Sequence, residues 1–348
     1  MLGLKQFFTS RGSTVLVLDD LTSNQSDLQP QSIAHGVVCL QQMSPEYGAD
    51  RRRCRISKLR GVKFRAGYHD FTIETGGICI YPRLRASQHS EAFAKKPVAS
   101  GSKELDDLIG GGVRSGSSTL ILGPAGSGKS SVAESFAIAA ARKGQKAVIF
   151  LFDENLRTYV DRSEGLGFEV KSLMDKGVLK LKQVDPAELA PGEFAHYVRD
   201  AVENFGAKVV VIDSLSGYMH AMPGEKYLML HMHELLTYLS QMGVATFLLL
   251  VQHGLIGDNL TSGALDVSYI ADNVILLRFF EAGGEVRKAI SVLKKRSGAH
   301  EHSIREMSLS IKGVHVGEPL INFSGILGGT PKFLGNPEEL MKGHYESR

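Results

Sequence analysis

The segment STLILGPAGSGKSSVAESFAIAAARKG, beginning at Ser118, constrains this chain more than any other. Thr119 to Leu122 is a short apolar run that reads as a buried parallel strand. GPAGSGKS follows and fits the spacing G-x-x-x-x-G-K-[ST]. An Ala-rich helical pattern then runs from Ser131 to Ala141 and ends at Lys143-Gly144. Strand, loop and helix in that order are the context in which this spacing holds a phosphate chain. Gly123, Gly126 and Gly128 let the backbone curl so that its N–H groups converge, and Pro124, Ala125, Ser127 and Ser131 complete the loop. The helix N-terminus adds the positive end of its dipole. Lys129 is expected on the β and γ phosphates, and Ser130 on Mg²⁺.

Three further apolar runs end in polar residues. KAVIFLFDE closes on Asp153 and Glu154, KVVVIDSLSGY contains Asp213, and ATFLLLVQH closes on Gln252 and His253. In a parallel sheet covered by helices, ligands bind outside the carboxyl ends of the strands. Asp213 is therefore expected to be the second Mg²⁺ contact, through water. Asp153 and Glu154 are candidates to take a proton from an attacking water or hydroxyl, and need not face the same way. Gln252 is the candidate γ-phosphate sensor. The Leu- and Met-rich stretch from Glu225 to Gly243 reads as a core helix; His231 and His233, two apart, do not share a face and make no metal site.

The chain also repeats itself. RGSTVLVLDD resembles MGVATFLLLV, SIAHGVVCLQQ resembles YIADNVILLRF, and FTIETGGICIYP resembles MSLSIKGVHVGEP. The offsets are 231 from Gly12 to Gly243, 237 from Ile33 to Ile270, and 236 from Gly77 to Gly313. Two basic strings, KLRG at Lys58 and KKRSG at Lys294, share the offset of 236. Residues 1–84 thus match only the last third of a later unit spanning 98–325. Residues 85–97 read as a linker and 326–348 as a polar tail. The half-copy is expected to leave an open sheet edge, covered by a longer natural polypeptide or by another chain.

Composition sets outer bounds. A hydrophobic content of 43% and a charged content of 22% suit a globular chain. No apolar run approaches the ~18 residues of a membrane span. Three cysteines with no Cys-x-x-Cys spacing argue against a disulfide framework or structural zinc and fit a cytoplasmic setting. The net charge of +3 does not by itself imply nucleic acid.

On the segments ELDDLIGGGVRSGSSTLILGPAGSGKS, FDE, VIDSLSGY, YIADNVILLRFFE and VLKKRSGAHEHSIREMSLS, the chain resembles the KaiC branch of the RecA-like ATPases. The fold class implied is α/β: a RecA-like P-loop NTPase domain with a mostly parallel sheet, preceded by the C-terminal part of a second such domain. The resemblance implies ATP as substrate, Mg²⁺ as cofactor, and a hexameric ring with nucleotide between neighbours. It places Lys294 and Arg296, and in the half-copy Lys58 and Arg60, as cations reaching a neighbour's γ-phosphate. Asp153-Glu154 stands where the family usually has Glu-Glu. Ser268-Tyr269 stands where the clock members autophosphorylate a Ser-Thr pair; Ser268 is the candidate phosphorylation site, and Tyr269 argues against a two-step cycle. The function implied is a ring ATPase that switches an unidentified signalling partner. The alternative is a DNA-dependent motor of RadA or helicase type, favoured only by the Arg51–Arg65 cluster with Phe64 and Tyr68 nearby; nucleic acid is the disfavoured partner.

Overall fold

The computed structural model describes residues 2–20, 29–45, 48–89, 91–185, 187–220, 228–252 and 268–335. It divides into two compact units, Met1–Arg83 and Leu84–Arg348.

The first unit carries helices α1 (Leu2–Thr9) and α2 (Gln29–Ile33) and strands β1 (Gly36–Met43), β2 (Arg51–Leu59), β3 (His69–Glu74) and β4 (Gly77–Tyr81). The four strands form an antiparallel meander in the order β1-β2-β3-β4. Thr75 and Gly76 make the last hairpin turn, with Gly76 at φ 107, a conformation suited to glycine. Val38 and Leu40 of β1 are exposed.

The second unit begins with β5 (Pro97–Val98), α3 (Lys103–Ile109), β6 (Val113–Arg114), β7 (Ser118–Gly123), α4 (Lys129–Arg142), β8 (Ala147–Leu151), α5 (Leu156–Gly165), α6 (Val170–Asp175), β9 (Leu179–Gln183) and α7 (Pro191–Glu203). It continues with β10 (Val209–Asp213), α8 (Leu215–His220), α9 (Leu228–Gln241), β11 (Ala245–Val251), β12 (Asn273–Ala282), β13 (Glu285–Lys295), β14 (Arg305–Ser310) and β15 (Gly313–Pro319). Its main sheet has nine strands in the order β15-β14-β13-β12-β7-β11-β10-β8-β9. From β12 to β9 every pairing is parallel; β12 to β15 is an antiparallel meander.

From β12 to β8 both faces of the parallel part are apolar, as expected of a sheet covered on two sides, whereas the edge strand β9 alternates Leu with Lys. Leu120, Phe150, Ile212 and Leu248 join one core with Phe194, Val198 and Leu235 from α7 and α9. Ile121, Ile149, Val211 and Phe247 join the other with Leu105, Phe136 and Leu173 from α3, α4 and α6. Local signals set the helix ends. Asn155 Oδ1 accepts from Thr158 N at 2.9 Å to cap α5, Ser102 caps α3, and Gly110 at φ 76 ends α3.

The two meanders share an irregularity. Val37 faces Lys58 while Val38 faces Ile56, so Ser57 is surplus. Val274 faces Lys294 while Ile275 faces Val292, so Leu293 is surplus. Each bulge stands one residue before a hook lysine, and bulges re-aim the side chains that follow them.

Ser13 to Asp20, which resembles the β11 segment in sequence, forms no strand, and Leu18 is 97% exposed. β11 is held between β7 and β10, whereas the described strands of the first unit pair antiparallel. Residues 85–89 and 91–97 belong to the second unit. Leu84 is buried in the second unit's core, Glu91 N donates to Gln241 O at 3.2 Å, and the Phe93 ring lies over Gly116 and Gly243, where a Cβ would collide with it.

Candidate functional site

The phosphate-loop residues stand together where β7 ends and α4 begins. Gly123 closes β7, and a Cβ there would lie 2.8 Å from Ser127 Oγ and 2.9 Å from Leu277 O, so no larger residue fits. Gly128 is the residue before α4 and takes φ 100, which admits glycine readily. Gly126, Gly128, Lys129, Ser130 and Ser131 line a cavity of about 410 Å³, and Arg162 lines its far side. Pro124 and Ser127 are buried within the loop, while Ala125 is exposed.

Lys129 is only 7% exposed, and its ammonium donates to Gly123 O at 3.0 Å and Pro124 O at 2.8 Å. Burial pulls its pKa down to about 8, against the attraction of Asp213 and Asp153. The Ser130 hydroxyl hydrogen-bonds to Asp213 at the end of β10. Burial raises the Asp213 pKa, with Ser130 and Arg162 opposing the rise. A hydroxyl and a carboxylate side by side are hard oxygen donors suited to Mg²⁺, which draws its other ligands from phosphate and water.

Gln252 follows β11, and its backbone N donates to Gly123 O at 3.0 Å. Its side chain is 3% exposed, and neither amide atom has a hydrogen-bond partner among the described residues. Ser127 Oγ is orphaned in the same way. Buried polar atoms of this kind are costly unless a ligand or water completes them, so the loop fits a polar, phosphate-bearing ligand. His253 lies outside the described residues.

The acidic pair diverges after β8. Asp153 turns toward α8 and accepts from the Ser214 hydroxyl, which itself accepts from Gly217 N at 3.1 Å. Gly217 is required there, because a Cβ would lie 2.9 Å from Asp153 Cγ. Glu154 turns toward α5 and meets Arg162 as a fork: Nε to Oε1 at 3.3 Å and Nη2 to Oε2 at 3.0 Å. Arg162 also stands 3.8 Å from Glu134 on α4. Glu134 is fully buried, and burial raises its pKa to about 7, with Ser163, Arg162 and Tyr159 opposing. Arg162 and Glu134 were not singled out from the sequence. Glu134 did leave a trace there, as a lone carboxylate inside an apolar, Ala-rich helix.

The basic hook occupies the other end of the sheet. Asn273 at the start of β12 pairs with Thr119 on one side and Lys295 on the other, so Lys294 and Arg296 lie beside the start of β7. From there to Gly123 the strand runs about 13 Å. Lys294 Nζ donates to Ser268 O at 3.0 Å and Ala271 O at 2.7 Å; Arg296 Nη2 donates to Tyr269 O at 3.0 Å and Nη1 to Asp272 at 3.3 Å. Burial lowers the Lys294 pKa, and neighbouring Arg296 lowers it further. Lys295, between them, points elsewhere and donates to Ile109 O at 2.5 Å and Gly112 O at 3.3 Å around the end of α3. The first unit repeats the arrangement: Lys58 donates to Gln31 O and Ser32 O, and Arg60 to Ser32 O. Arg53 and Arg55 of its basic cluster stack over Tyr68 at 4.2 and 5.0 Å.

A family model described as ATPase: KaiC matches residues 98–321. The chain belongs to the KaiC family. It is 30% identical over 300 residues to the circadian clock protein KaiC3 of Synechocystis sp., covering 86% of this chain and 59% of that one. It is 28% identical over 281 residues to the circadian clock oscillator proteins KaiC of Acaryochloris marina and Thermostichus vulcanus, covering 81% of this chain and 53% and 54% of theirs. The chain thus spans little more than half the length of these KaiC relatives. The α/β architecture, with its large and mostly parallel sheet, is that of a RecA-like P-loop domain. Among the described residues no helix is long and apolar enough to cross a membrane.

Proposed function

We propose that this chain binds MgATP on the loop from Gly123 to Ser131 and hydrolyses it at sites shared between neighbouring copies in a hexameric ring. The observation that carries the shared site is the position of the hook. Lys294 and Arg296 stand at the end of the sheet away from their own loop, so each pair serves a loop on another subunit. A head-to-tail contact of this kind closes into a ring when its rotation allows.

The chemistry follows from charge. Lys129 meets the β and γ phosphates once its ammonium exchanges loop carbonyls for phosphate oxygens. Ser130 and Asp213 would hold Mg²⁺, which when bound neutralises charge on those same oxygens. Glu154 takes the proton of the attacking water, and Asp153 shapes the turn behind it through Ser214. Gln252 reads the γ-phosphate with its orphaned amide. Arg296, with Lys294, offsets the charge that builds on the transferring group. Ser268 shares the hook's end of the sheet, so transfer to its hydroxyl would draw on a neighbour's nucleotide. We read the first unit as a partial second copy of the domain, a reading supported by its matching meander, bulge and hook. The output is a conformational signal to a protein partner, a reading supported by the clock relatives named above.

Mixing tests the shared site. Glu154→Gln and Arg296→Ala subunits are each expected to bind nucleotide and turn over slowly. Mixed rings should recover turnover, because some seams then combine two intact halves. No recovery in rings whose mixed composition is verified by mass would refute it.

A further inference from the structure

We propose that Arg162, which lines the phosphate-loop cavity, is a positioning residue for hydrolysis: braced from behind by Glu134, it grips both oxygens of Glu154 and holds that carboxylate in one orientation. The inference rests on the reading of Glu154 as the proton acceptor.

The geometry is a three-part chain across two helices. Glu154 lies between β8 and α5, and its carboxylate faces the Arg162 guanidinium two turns farther along α5. Two parallel N–H···O contacts leave a carboxylate one in-plane orientation, whereas a single contact lets it rotate. The remaining guanidinium nitrogen faces Glu134 on α4, the helix that begins at Lys129. Tyr159 supplies the floor, with its ring centroid 4.8 Å from the guanidinium carbon. Ser163 and Tyr159 offer hydroxyls to Glu134, and Arg162 is the cation beside it. A fully buried carboxylate is costly, and this one faces an arginine that lines the nucleotide cavity. The brace also links the proton acceptor to the helix that carries Lys129 and Ser130, so the parts that grip phosphate and the part that activates water share one support.

An arginine that acts through Glu154 differs measurably from one that binds phosphate. In the full chain with Mg²⁺, Arg162→Ala should lower kcat about 10- to 100-fold. Affinity for a fluorescent N-methylanthraniloyl ATP analogue should change less than about 3-fold. Arg162→Lys keeps a cation against Glu134 but cannot span both oxygens; it should fold as the parent does and show most of the kcat loss. In a Glu154→Gln background, either substitution should have almost no further effect, since residues acting as a unit are non-additive. Analogue affinity falling in step with kcat would make Arg162 a phosphate ligand and overturn the proposal. So would faster turnover in Arg162→Lys, or full additivity with Glu154→Gln. An unchanged rate in Glu154→Gln alone would overturn the underlying assignment of Glu154. An unchanged rate in Arg162→Lys beside a slowed Glu154→Gln would overturn the clamp only.

Discussion

Lys129 and Glu134 lie five residues apart on α4 and are buried against opposite charge preferences. A lysine whose folded pKa is near 8 holds its proton less tightly than the unfolded chain, whose lysines titrate near 10.4. Between those values the unfolded state binds more protons, so stability rises with pH. We expect nucleotide-free protein to gain stability from about pH 8 to 10, and Lys129→Met to abolish that gain along with nucleotide binding; urea titrations at both pH values check it. Glu134 has the reverse sign. With its folded pKa raised to about 7, its contribution is full below the unfolded value and is lost as pH rises through 7. Glu134→Gln should therefore be more stable than the parent at pH 8, by at most about 3 kcal/mol before the loss of the Arg162 contact is subtracted, and the advantage should vanish by pH 4.5. At this scale the sequence is legible where chemistry is local. The loop glycines, Lys129 and Ser130 announce themselves by spacing. The pairing of Glu154 with Arg162 and Glu134 does not, because single charges on two helices form no pattern until the fold brings them together.

Elements form here when their neighbours do. β11 has six apolar residues in seven and the run from Ser13 to Asp20 four in eight, and among the described residues β11 alone of the two has parallel partners on both sides. Periodicity reports what a segment could bury, and the tertiary context decides whether it does. Composition is equally silent on Phe93, whose ring packs over Gly116 and Gly243 in the midst of a polar, Pro-containing stretch. By contrast, the central parallel strands were legible in full, since runs apolar on both faces have few other solutions. The joint between α4 and the sheet depends on Phe136 stacked on Phe247, with centroids 4.6 Å apart. Phe247→Ala should cost about 3–5 kcal/mol in urea unfolding, and nucleotide affinity should fall as the helix loosens. An effect below about 1 kcal/mol would mean that α4 is held mainly by other contacts.

For the whole molecule, the two units make separate demands. The nucleotide loop, its acidic neighbours and the later hook all belong to Leu84–Arg348. A chain consisting of residues 84–348 should keep affinity for an ATP analogue within about 3-fold of the parent; a larger loss would show that the first unit shapes the site. The sequence offers a near-constant offset between the two segments, and each meander carries a surplus residue one position before its lysine. Each surplus residue bends its strand and sharpens the local twist without changing which residues pair, since Lys294 stands opposite Val274 and Lys295 opposite Asn273. A chain shortened by Leu293 would keep those pairs and straighten the strand, so its cations would project from a flatter edge. Deletion of Leu293 should therefore harm turnover far more than its replacement, because the bend depends on an extra stretch of backbone and not on the side chain.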